Sequence, residues 1–330
     1  MKAIVFDTPG AEDVLKLADV PSPPLGADDL RIRVRATAVN RADLLQRQGL
    51  YPPPPGASPL LGLECAGDVV EVGANVGSWQ VGDRAMALLA GGGYAQEAVV
   101  HHGSAMHIPA GMSWQEAGAL PEVFLTAFLN LFMLGDVTAG DAALVHGGGS
   151  GVGTASIQLL REAGVRCLVT AGSEEKCRRC RDLGADVAIN YRTGDFAAPV
   201  RDATGGHGVQ VILDSIGARY LAANLSCLAA GGRLVIIGLI GGAQVDINLA
   251  AVLMCRLHVI GSTLRARSAA EKAEIVSRFV ERFGTALAAG RVKPVIDRVL
   301  PLEQAGEAHR TVQASRHFGK VVLQVRPNDG

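Results

Sequence analysis

Residues 145–155 read VHGGGSGVGTA, directly after the apolar run AALVHG (142–147) and directly before TASIQLLREAG, whose apolar residues recur at helical spacing. A strand, a glycine turn and a helix in that order can bind an anion. Gly147, Gly149, Gly151 and Gly153 permit a tight turn and a close backbone approach to a pyrophosphate. The anion's charge then rests on the N–H groups and dipole at the helix N-terminus. A lone glycine cluster is more often a turn than a site. This one opens a series of strand and helix units, and that context makes it a dinucleotide site.

The tip of the second strand sorts the cofactors. An NAD site carries Asp or Glu about 20 residues past the glycines, to bind the ribose 2′-OH. Here the segment reads Val169-Thr170-Ala171-Gly172-Ser173-Glu174-Glu175-Lys176, a small neutral tip with Lys176 one helical turn on. Nothing there repels a 2′-phosphate and Lys176 can pair with it, which favours NADPH. The alternative is that Lys176 is a solvated helix charge and that Glu174 or Glu175 takes the acidic role.

The elements that must position these residues follow from the patterning. From about Pro121 onward, apolar runs bounded by glycine alternate with helices: RCLVTAG, EEKCRRCRDLG, VAIN, VQVILDSIG, YLAANLSCLAAGG, RLVIIG and LHVIGSTL. Continuous apolar strands of this kind are buried on both faces of a parallel sheet. The expected fold class is therefore α/β, with a Rossmann doubly wound domain over 123–292. The first hundred residues instead read as short strands, KAIVFD, LRIRVRATAVN, CAGDVVEVG, DRAMALL and YAQEAVV, and Leu30, Ile32 and Val34 alternate with Arg31, Arg33 and Arg35. After the amphipathic stretch AAEKAEIVSRFVERFGTALAAG, the tail is expected to rejoin this β half, giving a second domain of 1–122 and 293–330.

Composition removes whole classes. Lys+Arg 31 against Asp+Glu 32 leaves a formal charge of -1 with no basic run, which argues against a nucleic-acid partner. With 48% apolar residues, the chain can fill two cores. The N-terminus MKAIVFDTPG lacks a signal-peptide pattern and no uninterrupted apolar stretch is long enough to span a bilayer, so a soluble cytoplasmic protein is expected. Six cysteines are too sparse for a disulfide framework. Cys177 and Cys180 form a CxxC, but no second pair of Cys or His lies near it, so both read as ordinary helix residues.

The segments AVNRADLLQRQGLYPPPPGASPLLGLECAGDVVEVG, GDRAMALLAGGGYAQEAVV, IPAGMSWQEAGALPEVFLTAF, AGDAALVHGGGSGVGTASIQL and HFGKVVL together resemble the zinc-independent quinone oxidoreductases of the medium-chain dehydrogenase/reductase superfamily. The resemblance runs the whole length of the chain. It departs at Ser150, where the family pattern has glycine. It implies a mainly β, GroES-like domain joined by the tail to the nucleotide-binding domain, with NADPH in the cleft between them. It also implies pyrophosphate contacts at Ser150, Gly151, Val152 and Gly153, and 2′-phosphoribose contacts at Ser173, Lys176 and Tyr191. Ser215, Leu239, Ile240, Thr263 and Leu264 would surround the ribose and nicotinamide. Tyr191 ends the third strand and could equally be a packing aromatic.

The zinc-dependent members of the superfamily place a Cys and a His where this chain has Asn40 (VNRAD) and Leu63 (GLECAG). No cysteine falls between Cys65 and Cys167, so a four-cysteine lobe is missing as well. Without those ligands no metal polarises an alcohol or carbonyl, and zinc-type alcohol oxidation is not expected. What remains is hydride transfer to an electrophile that needs no Lewis acid, such as a quinone or the conjugated C=C of an enal or enoyl group. Asn40 and Tyr51 are the candidates to line the substrate side and hydrogen-bond a developing oxyanion. The competing roles are a helix cap for Asn40 and packing on the rigid proline run 52–55 for Tyr51. A different class, an NADPH-binding sensor without catalysis, would use the same binding residues. The resemblance further implies a homodimer joined through an edge strand within RLHVIGSTL.

Overall fold

The computed structural model describes residues 1–326. Seven strands open the chain: β1 (Lys2–Val5), β2 (Lys16–Asp19), β3 (Asp29–Ala38), β4 (Glu64–Val72), β5 (Arg84–Leu88), β6 (Glu97–His101) and β7 (Ala105–His107). Six more follow: β8 (Ala142–His146), β9 (Arg166–Ala171), β10 (Val187–Asn190), β11 (Val209–Asp214), β12 (Leu228–Ile236) and β13 (His258–Gly261). The last two are β14 (Ile296–Pro301) and β15 (Lys320–Gln324). They sort into two compact units, Met1–Leu125 with the chain from Leu264 onward, and Thr126–Thr263.

In the first unit a seven-stranded sheet runs β14-β15-β3-β4-β5-β7, with β6 paired to β3. The period-2 pattern of β3 is realised: Leu30, Ile32 and Val34 are fully buried, while Arg31 and Arg35 reach Glu71 and Asp68 at 2.7 and 2.8 Å. The tail closes this sheet, because β15 pairs antiparallel with β3 through Val322↔Ala38.

In the second unit six parallel strands run β10-β9-β8-β11-β12-β13, the Rossmann order. Leu144, Leu168, Ile212 and Leu234, from four different strands, meet in one core. That burial is why these strands read as unbroken apolar runs rather than as alternation.

The second compact unit ends at Thr263, and the helix Ala269–Ala288 belongs to the first. Ser268 and Glu271 cap the helix Ala269–Ala288 reciprocally, with backbone N–H bonds of 3.3 and 2.9 Å. Its buried Phe279 packs 6.5 Å from Phe124 within the first unit. An amphipathic pattern declares a helix but not the surface it covers. Among the described residues no helix is long and apolar enough to cross a membrane.

Candidate functional site

At the end of β8 the chain turns through Gly147, whose φ of +76° lies in the left-handed region. The Gly148 N–H donates to the Thr170 carbonyl at 2.8 Å, which fixes the turn to β9. The helix Gly151–Glu162 then starts with Ser150 at its N-cap, where the Ser150 hydroxyl accepts the Gly153 N–H at 3.0 Å. Serine in place of the family's glycine therefore satisfies one of the helix's orphan donors itself. It leaves the N–H groups of Gly151 and Val152 for an anion. Gly153 seats this helix hard against the turn: a Cβ there would lie 2.3 Å from the Gly147 carbonyl oxygen and 2.6 Å from the Gly148 Cα. Backbone that close around a turn with outward N–H groups is a cradle that fits a pyrophosphate.

The tip of β9 brings the next group together. Ser173 caps the helix Glu174–Leu183, its Oγ accepting the Lys176 N–H at 3.2 Å. The Tyr191 N–H donates to the Ala171 carbonyl at 3.1 Å, and a Cβ on Gly172 would meet the Tyr191 Oη at 2.6 Å. Tyr191 thus lies over the strand tip while remaining 41% exposed, so it both packs and presents a face. Glu174 accepts from the Asn190 Nδ2 at 2.9 Å through one of its two oxygens, which ties it to the end of β10.

The third group forms at the ends of β11 and β12. The Ile240 N–H bonds the Ser215 carbonyl at 3.2 Å and the Ile237 N–H bonds that of Asp214 at 2.8 Å. Leu239 and Ile240 are left 55% and 63% exposed on this turn. Thr263 follows β13, beside Ser262, whose N–H reaches the Ile236 carbonyl at 3.0 Å. Leu264 is buried and belongs to the first unit.

Asn40 sits in the first unit at the N-cap of the helix Arg41–Arg47, with its backbone N–H held by Asp43 Oδ2 at 2.8 Å. Its side chain is committed elsewhere. Nδ2 donates to Glu64 Oε1 (2.9 Å) and to the Ala38 carbonyl (3.3 Å), and Oδ1 accepts from Lys320 Nζ (2.6 Å). Lys320 also pairs with Glu64 at 2.7 Å, both side chains almost wholly buried. With both amide hydrogens taken, Asn40 has none to give a substrate oxygen, which corrects the role expected for it.

Tyr51 is half-buried, and burial raises its phenol pKa while nearby Arg265 lowers it. Arg265 is the residue that the sequence concealed. Its guanidinium donates to the carbonyls of Ala90 (2.8 Å) and Tyr51 (3.3 Å) and to Gln46 Oε1 (2.6 Å), and it lies 5.3 Å from the Tyr51 ring centre. This arrangement fixes the loop that carries Tyr51 and places a positive charge beside its ring.

Glu122, at the start of the helix Pro121–Phe128, donates its N–H to Glu64 Oε2 at 2.9 Å, and its own Oε2 is buried with no hydrogen-bond partner. Burial, then the negative charge of Glu64, push its carboxyl up to about 8. A raised carboxyl contributes stability that is full below the unfolded value near 4.5 and is lost as pH rises through about 8. Glu122→Gln is therefore expected to melt above the wild type at pH 9, by an amount worth a few kcal/mol, and to lose this advantage towards pH 5. Thermal melts across that range check it. A pH-independent difference would contradict it.

Two family models match the chain, an alcohol dehydrogenase GroES-like domain at residues 26–110 and a zinc-binding dehydrogenase at 151–281. The quinone oxidoreductase of Rattus norvegicus is 31% identical over 98% of this chain and 97% of its own length. Among solved structures, the quinone oxidoreductase of Escherichia coli complexed with NADPH is 26% identical with a TM-score of 0.88, over 98% of this chain and 100% of its own. A structure described as an NAD-dependent alcohol dehydrogenase is 35% identical with a TM-score of 0.86, over 99% and 100%.

Proposed function

This chain belongs to the zinc-independent quinone oxidoreductase family of the medium-chain dehydrogenase/reductase superfamily, and on that premise we propose that it is an NADPH-dependent reductase of quinones. The observation that carries the reading is the capped glycine turn beside a strand tip with no carboxylate at Ala171-Gly172-Ser173. When bound, the reduced nicotinamide supplies a hydride. The chain's own residues bind and orient. The N–H groups of Gly151 and Val152 take the pyrophosphate charge, and Ser173, Lys176 and Tyr191 hold the 2′-phosphoribose. Ser215, Leu239, Ile240, Thr263 and Leu264 frame the ribose and nicotinamide.

The Tyr51 hydroxyl donates to the oxygen on which negative charge develops, and Arg265 keeps the ring in place. Asn40 contributes by fixing the Glu64 and Lys320 pair. Tyr51→Phe is expected to lower kcat about tenfold or more with KM for NADPH unchanged. An enzyme with full turnover would remove Tyr51 from the mechanism.

The assay that tests the function follows NADPH and NADH oxidation across ortho- and para-quinones, enals and enoyl thioesters. NADPH-dependent quinone reduction is the expected result. Turnover confined to enals or enoyl thioesters would reassign the substrate to a conjugated C=C. Tight NADPH binding with no turnover across the panel would favour a non-catalytic sensor.

The six cysteines, all unpaired, fit a reducing cytoplasmic setting. For the assembly we propose a homodimer joined at β13, the edge of the six-stranded sheet. Val259 on that strand is 44% exposed, and Leu249, Leu253 and Met254 on the helix Leu249–Cys255 are 68, 75 and 77% exposed, a patch that pairing would cover. Light scattering at micromolar concentration is expected to give twice the chain mass, and a monomer would refute the assignment.

A further inference from the structure

Thr170, His146, Asn224 and Asp214 form one continuous hydrogen-bonded chain in the second unit, and each is at most 3% exposed. Three lie at the C-terminal ends of β9, β8 and β11, and Asn224 lies on the helix Leu221–Cys227. His146 Nδ1 is 3.0 Å from Thr170 Oγ1 and its Nε2 is 2.7 Å from Asn224 Oδ1. Asn224 Nδ2 donates to Asp214 Oδ2 at 3.1 Å. The carboxylate of Asp214 also accepts the N–H groups of Ile216 (2.7 Å) and Gly217 (3.1 Å). At the other end, the Gly147 N–H donates to Thr170 Oγ1 at 3.3 Å.

The direction of every bond follows from its terminus. A carboxylate only accepts, so Asn224 turns its amide hydrogens to Asp214 and its oxygen to His146. Nε2 must then carry the imidazole's hydrogen, and the bare Nδ1 accepts from the Thr170 hydroxyl. The lone pairs of that hydroxyl remain for the Gly147 N–H. A single neutral tautomer of His146 therefore connects the first glycine of the pyrophosphate turn to the turn that carries Ser215. The rings of Phe196 and Tyr220 enclose it, each 4.8 Å away. Burial keeps its pKa down at about 4, so the neutral form persists at neutral pH.

We propose that His146 is a positioning residue for NADPH, holding the glycine turn and the Ser215–Gly217 turn at one spacing so that both meet the bound nucleotide already in place. The proposal rests on the NADPH reading above. It assigns His146 to binding rather than to the hydride step, because the ring is buried and both its nitrogens are bonded within the protein.

The test titrates NADPH and adenosine 2′-monophosphate into the full-length wild type and into His146→Leu, His146→Gln and Thr170→Val. The smaller ligand presents adenine and the 2′-phosphoribose but no pyrophosphate, and so it reports on Ser173, Lys176 and Tyr191 without the glycine turn. His146→Leu leaves the Asn224 oxygen and the hydroxyl hydrogen of Thr170 without partners. It is expected to raise the Kd of NADPH at least about tenfold while kcat at saturating NADPH stays within about twofold. His146→Gln, which can keep the bond to Asn224, should recover part of that loss. Thr170→Val removes the bonds to His146 Nδ1 and to the Gly147 N–H while leaving His146 on Asn224, and should weaken NADPH even if the histidine variants fail to fold. Adenosine 2′-monophosphate should bind every folded variant as it binds the wild type.

Weakening of both ligands in parallel would mean a general loosening of the unit and overturn the proposal. So would folded variants that bind NADPH like a wild type that itself binds it, and in that case the cofactor reading stands. A wild type that does not bind NADPH overturns both.

Discussion

Gly153→Ala is expected to raise the Kd for NADPH about a hundredfold or more and to lower the melting temperature by several degrees. The new Cβ would sit 2.3 Å from the Gly147 carbonyl oxygen and 2.6 Å from the Gly148 Cα. Both are backbone atoms with no rotamer to retreat into. Either the helix Gly151–Glu162 slides outward or the turn opens, and each outcome withdraws the N–H groups of Gly151 and Val152 from the pyrophosphate. Gly147→Ala makes the informative comparison. Its Cβ would meet only Ser150 Oγ, at 3.8 Å, so its cost is the strain of a positive φ, about 1–2 kcal/mol. Gly153→Ala should be the worse of the two in both nucleotide titration and thermal melting. If Gly153→Ala binds NADPH within about threefold of the wild type, the pyrophosphate does not lie on this turn.

Lys176→Ala is expected to cut kcat/KM for NADPH by roughly ten- to a hundredfold and to leave that for NADH nearly untouched. The 2′-phosphate distinguishes the two cofactors, and a charge-assisted bond to it is worth about 1.5–3 kcal/mol. On the proposed reading Lys176 is the discriminating charge. Ser173 fixes its backbone by capping the helix, and Glu174 is bonded to Asn190. Steady-state kinetics with both cofactors check the selectivity. An equal loss with NADPH and NADH would assign Lys176 a structural role and reopen the case for Glu175.

The second unit was the legible part of the chain. Its strands are buried on both faces, so each announces itself as a short apolar run, and the glycine turn stands where such a run meets a helix. Ser150 and Ser173 entered only through the family resemblance, and their capping of the two helices emerged with the structure. The first unit hid its chemistry in distance. Asn40 meets Lys320, 280 residues on, and Gln46 meets Arg265, 219 residues on, and no local spacing encodes either pair. For the same reason an amphipathic pattern found the helix Ala269–Ala288 but not the unit it joins. His146, Thr170 and Asp214 left a fainter signal, a polar residue closing or nearly closing an otherwise apolar strand. Three such residues acquire meaning only once β8, β9 and β11 lie side by side.

The buried pair of Glu64 and Lys320 also sets an order of events during synthesis. Every strand of the six-stranded sheet is complete once residue 263 has left the ribosome, whereas β3 then still lacks its neighbour β15, the strand that carries the lysine. Until residue 320 emerges, Glu64 has no cation to pair with in that core, and an unpaired buried charge costs about 3–5 kcal/mol. The β unit, begun before the six-stranded sheet, is therefore completed after it.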